Sequence, residues 1–382
     1  MKKILIVSDS LRVGGIQTSL KSFLKVLSEQ DYKVTLFLFN DTNSQSLELD
    51  NIDIISGTNF LKLISYTAEE AKKRGILVFV LRKILALLCK LFTANAVYSF
   101  IFLFERKLYD YDVAISYSNN ISNRTVYFGY NKFVLEKVVC KQRIAYIHAD
   151  YDTIHSNFFD REYRKFDSIW CVSEFVKSTF LKYNSSCCNK CEVVYNFINE
   201  EKISKIGNKP YQNDKFHIVT VGRLDQNKSQ IDVIDICLKL IKKGVDFEWF
   251  LLGDGPERKN IEEAIMQNKL EDYVYLLGNK NNVSDYLNYS NVFVSLSKSE
   301  SYGLAIAESL LLNTITIVKY MPVVEEIISD NGIVCENNDN IVDTIYKLIT
   351  DTEYYKECKK QSQLYYDNNK NLNHMNELLN KE

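Results

Sequence analysis

Three prolines (Pro210, Pro256, Pro322), four histidines and no marked excess of either charge are the first things missing from these 382 residues. Scarce proline goes with abundant Asn, Lys and Tyr, a compositional bias that carries no mechanism. A formal net charge of −2 argues against a chain whose main task is to hold nucleic acid. None of the histidines lies beside Cys187, Cys188 and Cys191, so that cluster lacks the fourth ligand a tetrahedral metal site needs. Residues 4–7, ILIV, are too short for a signal-peptide core, and the nine cysteines are expected as reduced thiols in a cytoplasmic protein. A membrane span is missing as well. In the most apolar segment, 76–104, the longest run without charge is 91–104, shorter than the roughly 18 residues that a crossing helix requires.

What remains is an ordinary globular balance, 46% apolar and 25% charged, on a chain long enough for two domains. MKKILIVSDS reads as a buried strand. A Gly-Gly pair follows, then helical spacing of Leu20, Phe23, Leu24 and Leu27, then a second strand, YKVTLFLFN. This βαβ unit starts a parallel sheet. Residues 111–118, 141–150, 167–173 and 191–197 read as further strands ending in polar residues. The stretch 199–215 has the composition of a linker, and after it the alternation restarts. FHIVTVGRL, FEWFLLGDGP, YVYLLGN, NVFVSLS and TITIVKY read as strands. Helices are predicted at 229–243, 257–269, 283–289, after SESYG, and at 323–329. Two α/β domains, 1–197 and 198–352, are expected, with a cleft between them as the natural ligand site and a helical segment 353–382 returning to the first.

The segment 72–107 interrupts this rhythm. On one continuous helical wheel Lys72, Lys83 and Lys90 fall within about 20° of each other, with Arg82 and Lys73 beside them. A basic stripe on an apolar helix suits peripheral contact with an anionic membrane; a buried insertion with one solvated face reads equally well.

Three stretches carry chemistry. In VGRLDQNKSQ, Arg223 and Lys228 lie between a buried strand and a helix, where two cations suit a diphosphate or are plain surface charges. LLGDGPE, with two glycines and a proline, is mainly a tight turn. In SESYGLAIAE, Glu300 follows a strand, Gly303 bares backbone N–H groups at a helix start, and Glu308 sits a turn further on. A carboxylate there can accept two hydrogen bonds from vicinal hydroxyls, or can simply favour the helix dipole.

In order, Gly14-Gly15, His148 in YIHAD, SEFVKSTF, VVYNFIN, VGRLDQNK, LLGDGPE, Glu300 with Glu308 as E-x7-E, and PVVEEIISDNGIV resemble the family-4 retaining glycosyltransferases of the GT-B fold, from residue 3 to about 350. The resemblance implies two Rossmann-like, doubly wound parallel-sheet domains facing across a cleft. The first would be the acceptor side and the second would bind the donor. Arg223 and Lys228 would hold the donor diphosphate, Glu308 the ribose, and Glu300 the hydroxyls of the transferred sugar. The backbone of Ser301, Tyr302, Gly303 and Leu304 would meet sugar and phosphate. Gly15 would touch the diphosphate, His148 would stand beside the sugar, and the base would pack near Gly278 and Val283. The implied donor is a nucleotide sugar, UDP-linked by family frequency, carrying a hexose or N-acetylhexosamine. The implied acceptor is a saccharide, lipid-linked on a polyprenyl diphosphate, in building a surface polysaccharide such as a capsule. No cofactor is implied: transfer is expected to be metal-independent, with front-face attack and the departing phosphate taking the acceptor's proton.

The sequence departs from that pattern in three places. Ser301-Tyr302 replaces a common Gly-Phe, Gln17 follows the glycines where an acidic residue is common, and KYMPVVEE lacks a glycine-rich turn, with Glu326 its best-matched carboxylate. Two other classes compete: a sugar-nucleotide epimerase of the same fold, which would need acid–base carboxylates in the first half, and a non-catalytic partner subunit, which would have lost the donor residues.

Overall fold

A computed structural model describes residues 1–12, 14–42, 51–122, 124–155, 157–362 and 368–380. The chain divides into two compact units, residues 1–197 with 369–382, and residues 198–368. Within the terminal segment, helix Thr352–Gln361 belongs to the second unit and helix Asn368–Asn380 continues into the first. The last helix is tied to the first sheet. Tyr32 donates to Asn376 (2.9 Å), and Asn371 pairs with the Tyr195 backbone as both donor and acceptor.

Among the described residues the first unit holds seven parallel strands: β1 Lys2–Ser8, β2 Tyr32–Leu38, β3 Ile52–Ser56, β4 Leu108–Ser116, β5 Val138–Ile147, β6 Ser168–Cys171 and β7 Cys191–Val193, in the order β3-β2-β1-β4-β5-β6-β7. The second holds six: β8 Phe216–Val221, β9 Phe247–Leu252, β10 Val274–Gly278, β11 Val292–Ser295, β12 Ile315–Lys319 and β13 Ile333–Cys335, in the order β10-β9-β8-β11-β12-β13. Central strands such as β1 and β9 carry continuous buried apolar runs, Ile4–Val7 and Trp249–Leu252, because helices cover both faces of a parallel sheet. Each sheet reverses its order once, between β1 and β4 and between β8 and β11. Doubly wound sheets bind ligands beyond the carboxyl ends of such strands.

The cores differ in character. The first is aromatic: Phe37 stacks on Phe133 at 4.3 Å, and Phe39, Tyr98, Phe102 and Tyr130 close around them. The second is aliphatic around Trp249, whose indole donates to Thr220 (3.1 Å), which donates to the Val294 carbonyl (2.7 Å). That chain of bonds stitches β9, β8 and β11 together. The stretch 199–215 is docked on its own unit: Gly207 N–H donates to Asp285 (2.6 Å), and Tyr211 stacks on His217 at 4.0 Å.

The segment 72–107 corrects the continuous wheel. Lys72 ends a separate helix, Ala68–Lys73, and Gly75, at φ 124°, breaks the chain before helix Ile76–Phe92. Helix Ala94–Phe102 is anchored by buried Tyr98 and Phe102, and helix Ile76–Phe92 is tied by Arg82, which donates to the Tyr66 carbonyl (2.9 Å). In Ile76–Phe92 one residue, Cys89, is buried. Ile76, Leu77, Val80, Ile84, Leu87 and Leu91 are exposed and share an arc of about 100°. Lys83 and Lys90 border this arc instead of forming a stripe with Lys72. Among the described residues no helix is long and apolar enough to cross a membrane.

Candidate functional site

In the second unit the loops after β8 and β11 meet at the point where strand order reverses. Asp225 folds the first loop by accepting from the N–H groups of Asn227 and Lys228, each at 3.1 Å. Asn227 then ties the two loops: its carbonyl accepts from Lys298 N–H (2.8 Å), and its side chain donates to the Ser299 carbonyl (2.8 Å). The clamp sets Lys228 beside Glu300, and the ammonium ion pairs with one carboxylate oxygen, which also accepts from Ser297 (2.8 Å). Both side chains are mostly covered, at 25% and 15% exposure, so solvent screens this pair less than it would a surface pair. Arg223 differs. It is 71% exposed, and its nearest carboxylate, Asp225, lies at 4.0 Å. Two predicted residues, Lys228 and Glu300, are therefore locked together, and the second cation, Arg223, stays exposed. Sequence reasoning missed Asn227, Asp225 and Ser297, polar loop residues that no local pattern distinguishes from their neighbours.

The glycines of LLGDGPE have a structural reason. Gly253, at φ 134°, and Gly255 lie so close to the first loop that an added Cβ would overlap the carbonyls of Gly222 and Leu224. Gly253 donates to the Gly278 carbonyl (2.9 Å), so the ends of β8, β9 and β10 form one flush row. Gly278, at φ 68°, closes β10, and Val283 opens helix Val283–Tyr289.

Gly303, at φ 77°, caps helix Leu304–Leu311, with its carbonyl accepting from Ile306 and Ala307. A Cβ there would press on Ile306 and Ile327 (2.9 and 3.1 Å), which seats helix Val324–Ile328 under the turn. Helix geometry leaves first-turn N–H groups without intrahelical partners. Ser301 and Leu304 are half-buried and Tyr302 is buried. Glu308 is half-buried, one turn beyond Leu304. A small cavity of about 140 Å³ nearby is lined by Asp225, Asp232, Glu257 and Lys298, too acidic for a diphosphate.

The reversal point of the first unit is built from hydroxyls and amides. Ser8 bonds Ser118 (2.9 Å), Ser19 bonds Tyr117 (2.7 Å) and Asn196, and Gly15 opens helix Gly15–Ser28. His148 follows β5. Asn119 accepts from its backbone N–H (2.7 Å), and its ring lies between Tyr117 and Tyr146, each at 4.3 Å. Neither ring nitrogen makes a hydrogen bond of normal geometry. Burial pushes its pKa down to about 3, with the nearby Asn196 amide acting weakly the other way. The imidazole is therefore neutral at neutral pH. Its native pKa lies below the usual 6.5, so the unfolded chain binds the extra proton between those values. Its contribution to stability is intact above about pH 6.5 and is lost as pH falls toward 3. His148→Gln is expected to flatten the fall in stability between about pH 6.5 and 4, read as the difference between the two proteins' pH-dependent unfolding midpoints.

Cys187 and Cys191 are buried and Cys188 is exposed. Among the described residues no group of three His, Cys, Asp or Glu side chains is placed to hold a metal.

Residues 200–365 match the family described as glycosyl transferases group 1. The N-acetyl-alpha-D-glucosaminyl L-malate synthase of Bacillus anthracis is 29% identical over 43% of this chain and 46% of its own. A Campylobacter jejuni protein, N-acetylgalactosamine-N,N'-diacetylbacillosaminyl-diphospho-undecaprenol 4-alpha-N-acetylgalactosaminyltransferase, is 27% identical over 81% of this chain and 78% of its own. The chain spans only 39 to 46% of the length of the first curated relatives it matches. Anabaena HepE, solved in complex with UDP and glucose, superposes with a TM-score of 0.65 at 16% identity, covering 95% of this chain and 94% of that one. Residues 200–365 are thus a glycosyl transferases group 1 domain, on a chain with the GT-B fold.

Proposed function

We propose that this chain is a glycosyltransferase that moves a hexose or N-acetylhexosamine from a nucleotide sugar, UDP-linked, to a saccharide acceptor with retention at the anomeric carbon. The observation that carries this reading is the Lys228–Glu300 pair, held by Asn227 across two loops at the carboxyl edge of a group 1 domain. Departure of the nucleoside diphosphate leaves growing negative charge. Arg223, Lys228 and the N–H groups after Gly303 supply positive partners for it without a metal. Glu300 takes the sugar hydroxyls, Glu308 the ribose, Gly278 and Val283 the base. Gly15 and His148 meet the diphosphate and the transferred sugar in the bound state. A neutral His148 acts there by hydrogen bonding, and no carboxylate nucleophile is needed if the departing phosphate takes the acceptor's proton.

Glu308→Ala is expected to weaken UDP binding by about 1–3 kcal/mol, the loss of hydrogen bonds to a covered polar group. Calorimetry with free UDP checks this, and unchanged affinity removes the ribose role.

The acceptor is read as lipid-linked, at the inner face of an anionic cytoplasmic membrane, in surface-polysaccharide assembly. Support comes from the exposed apolar arc of helix Ile76–Phe92 with Lys83 and Lys90 at its border, and from the Campylobacter relative, named for a diphospho-undecaprenol-linked acceptor. Ile76→Asp with Ile84→Asp and Leu87→Asp should abolish flotation with phosphatidylglycerol vesicles. Wild-type protein that never floats would remove the membrane contact.

A further inference from the structure

The first unit carries a second polar site that the proposed reaction does not use. A groove of about 510 Å³ lies on one face of its sheet, lined by Lys132, Glu136, Arg143, Arg161, Glu162 and Lys165. It stands back from the carboxyl edge. Arg143 precedes His148 by five residues, about 16 Å along an extended strand, and its backbone N–H donates to Asp167 (2.7 Å) just ahead of β6.

Four cations face two carboxylates, so the groove carries an excess of two positive charges. Lys132 is buried and gives its ammonium to Glu136 (2.6 Å). Arg143 is under-satisfied: its Nε is buried without a hydrogen-bond partner, and one terminal nitrogen reaches the Val138 carbonyl only at 3.5 Å. Arg161 and Lys165 are exposed at the rim and form no ion pair among the described residues. A buried Nε–H donor left unused is costly unless something accepts from it. The floor is Glu162, which accepts from Asn120 (3.2 Å). Burial pushes its carboxyl up to about 7, against the pull of Lys132 and Lys165 and with Glu136 adding to the rise; a contact with Asn131 opposes it. Protonation of Glu162 as pH falls through that value raises the positive excess to three. A planar guanidinium fork beside two or three ammonium groups matches tetrahedral oxyanions.

We propose that this groove binds a phosphoryl anion, a phosphate ester or a diphosphate, at a site separate from the donor loops. Two sources share that chemistry. Asn95, from helix Ala94–Phe102, lines the groove, and the same helix carries exposed Phe100 and leads into exposed Leu103 and Phe104. An apolar border of that kind suits a lipid headgroup, and the polar floor suits a free diphosphate equally.

The test uses full-length protein carrying Arg223→Ala and Lys228→Ala, so that the donor loops do not contribute. Inorganic pyrophosphate titrated by calorimetry at neutral pH should bind. Adding Arg161→Glu and Lys165→Glu, both at exposed positions, should weaken it by about tenfold or more, as expected for two lost charge-assisted contacts. Absence of binding, or an affinity that ignores the rim substitutions, would overturn the proposal. Flotation then separates the sources. If the rim substitutions also release the protein from phosphatidylglycerol vesicles, with phosphatidylcholine as control, the occupant is a headgroup. If they abolish pyrophosphate binding alone, it is a free anion.

Discussion

Arg223→Ala combined with Lys228→Ala is expected to slow release of nucleoside diphosphate from the sugar donor by about 10²–10³-fold or more, the scale of losing a preorganised partner for developing charge. The two residues contribute differently. Arg223 is exposed and without a close acceptor, so its removal should leave stability within about 0.5 kcal/mol. Lys228 is paired, and its removal leaves Glu300 with Ser297 as a hydrogen-bond partner in a mostly covered position. Lys228→Ala should therefore weaken donor binding and also loosen the two loops, whereas Arg223→Ala should affect only binding and turnover. Equal, small effects from both would mean that the diphosphate sits elsewhere.

Gly253→Ala should produce the largest structural effect. The new methyl would overlap the Gly222 carbonyl at a backbone φ of 134°, where L-residues are strained, and backbone cannot move aside as a side-chain tip can. Overpacking of this kind costs about 1–3 kcal/mol, and positive φ adds about 1–2. The chain offers a clean reading of it. Each unit holds one of the two tryptophans, Trp170 in β6 and Trp249 in β9, both buried. In a Trp170→Phe background, fluorescence reports the second unit alone, and its urea midpoint should fall with Gly253→Ala. In a Trp249→Phe background the first unit's midpoint should stay put. An unchanged second-unit midpoint would contradict the backbone packing described for the three glycine-ended strands.

The parallel strands were legible where apolar runs end in turn residues. Helix Val283–Tyr289 has the bounds expected from its pattern. β3 and β13 were not read as strands: β3 is a short edge strand with most residues exposed, and β13 has three residues, one of them buried. Neither offers the apolar run that marks a central strand. Lys228 and Glu300 could each be singled out locally, but their pairing depends on β8 and β11 being neighbours across some seventy residues (Ile218 beside Val292), which no local pattern encodes. Asn227 was invisible for a plainer reason: in a chain rich in asparagine, one more carries no signal. The wheel over 72–90 failed because it assumed a single helix. Gly75 was in view, but its positive φ was not, and that break moves Lys72 off the face that Lys83 and Lys90 border.

The central claim, a nucleotide-sugar site on the second unit, is tested most directly by a calorimetric panel of UDP-, GDP-, ADP- and TDP-sugars against the purified protein. One nucleotide sugar, UDP-linked, should bind, and binding should vanish in the Arg223→Ala, Lys228→Ala protein while its Trp249 unfolding transition persists. No binding by any member of the panel to wild-type protein would contradict the account and leave the second unit as a group 1 domain without a donor.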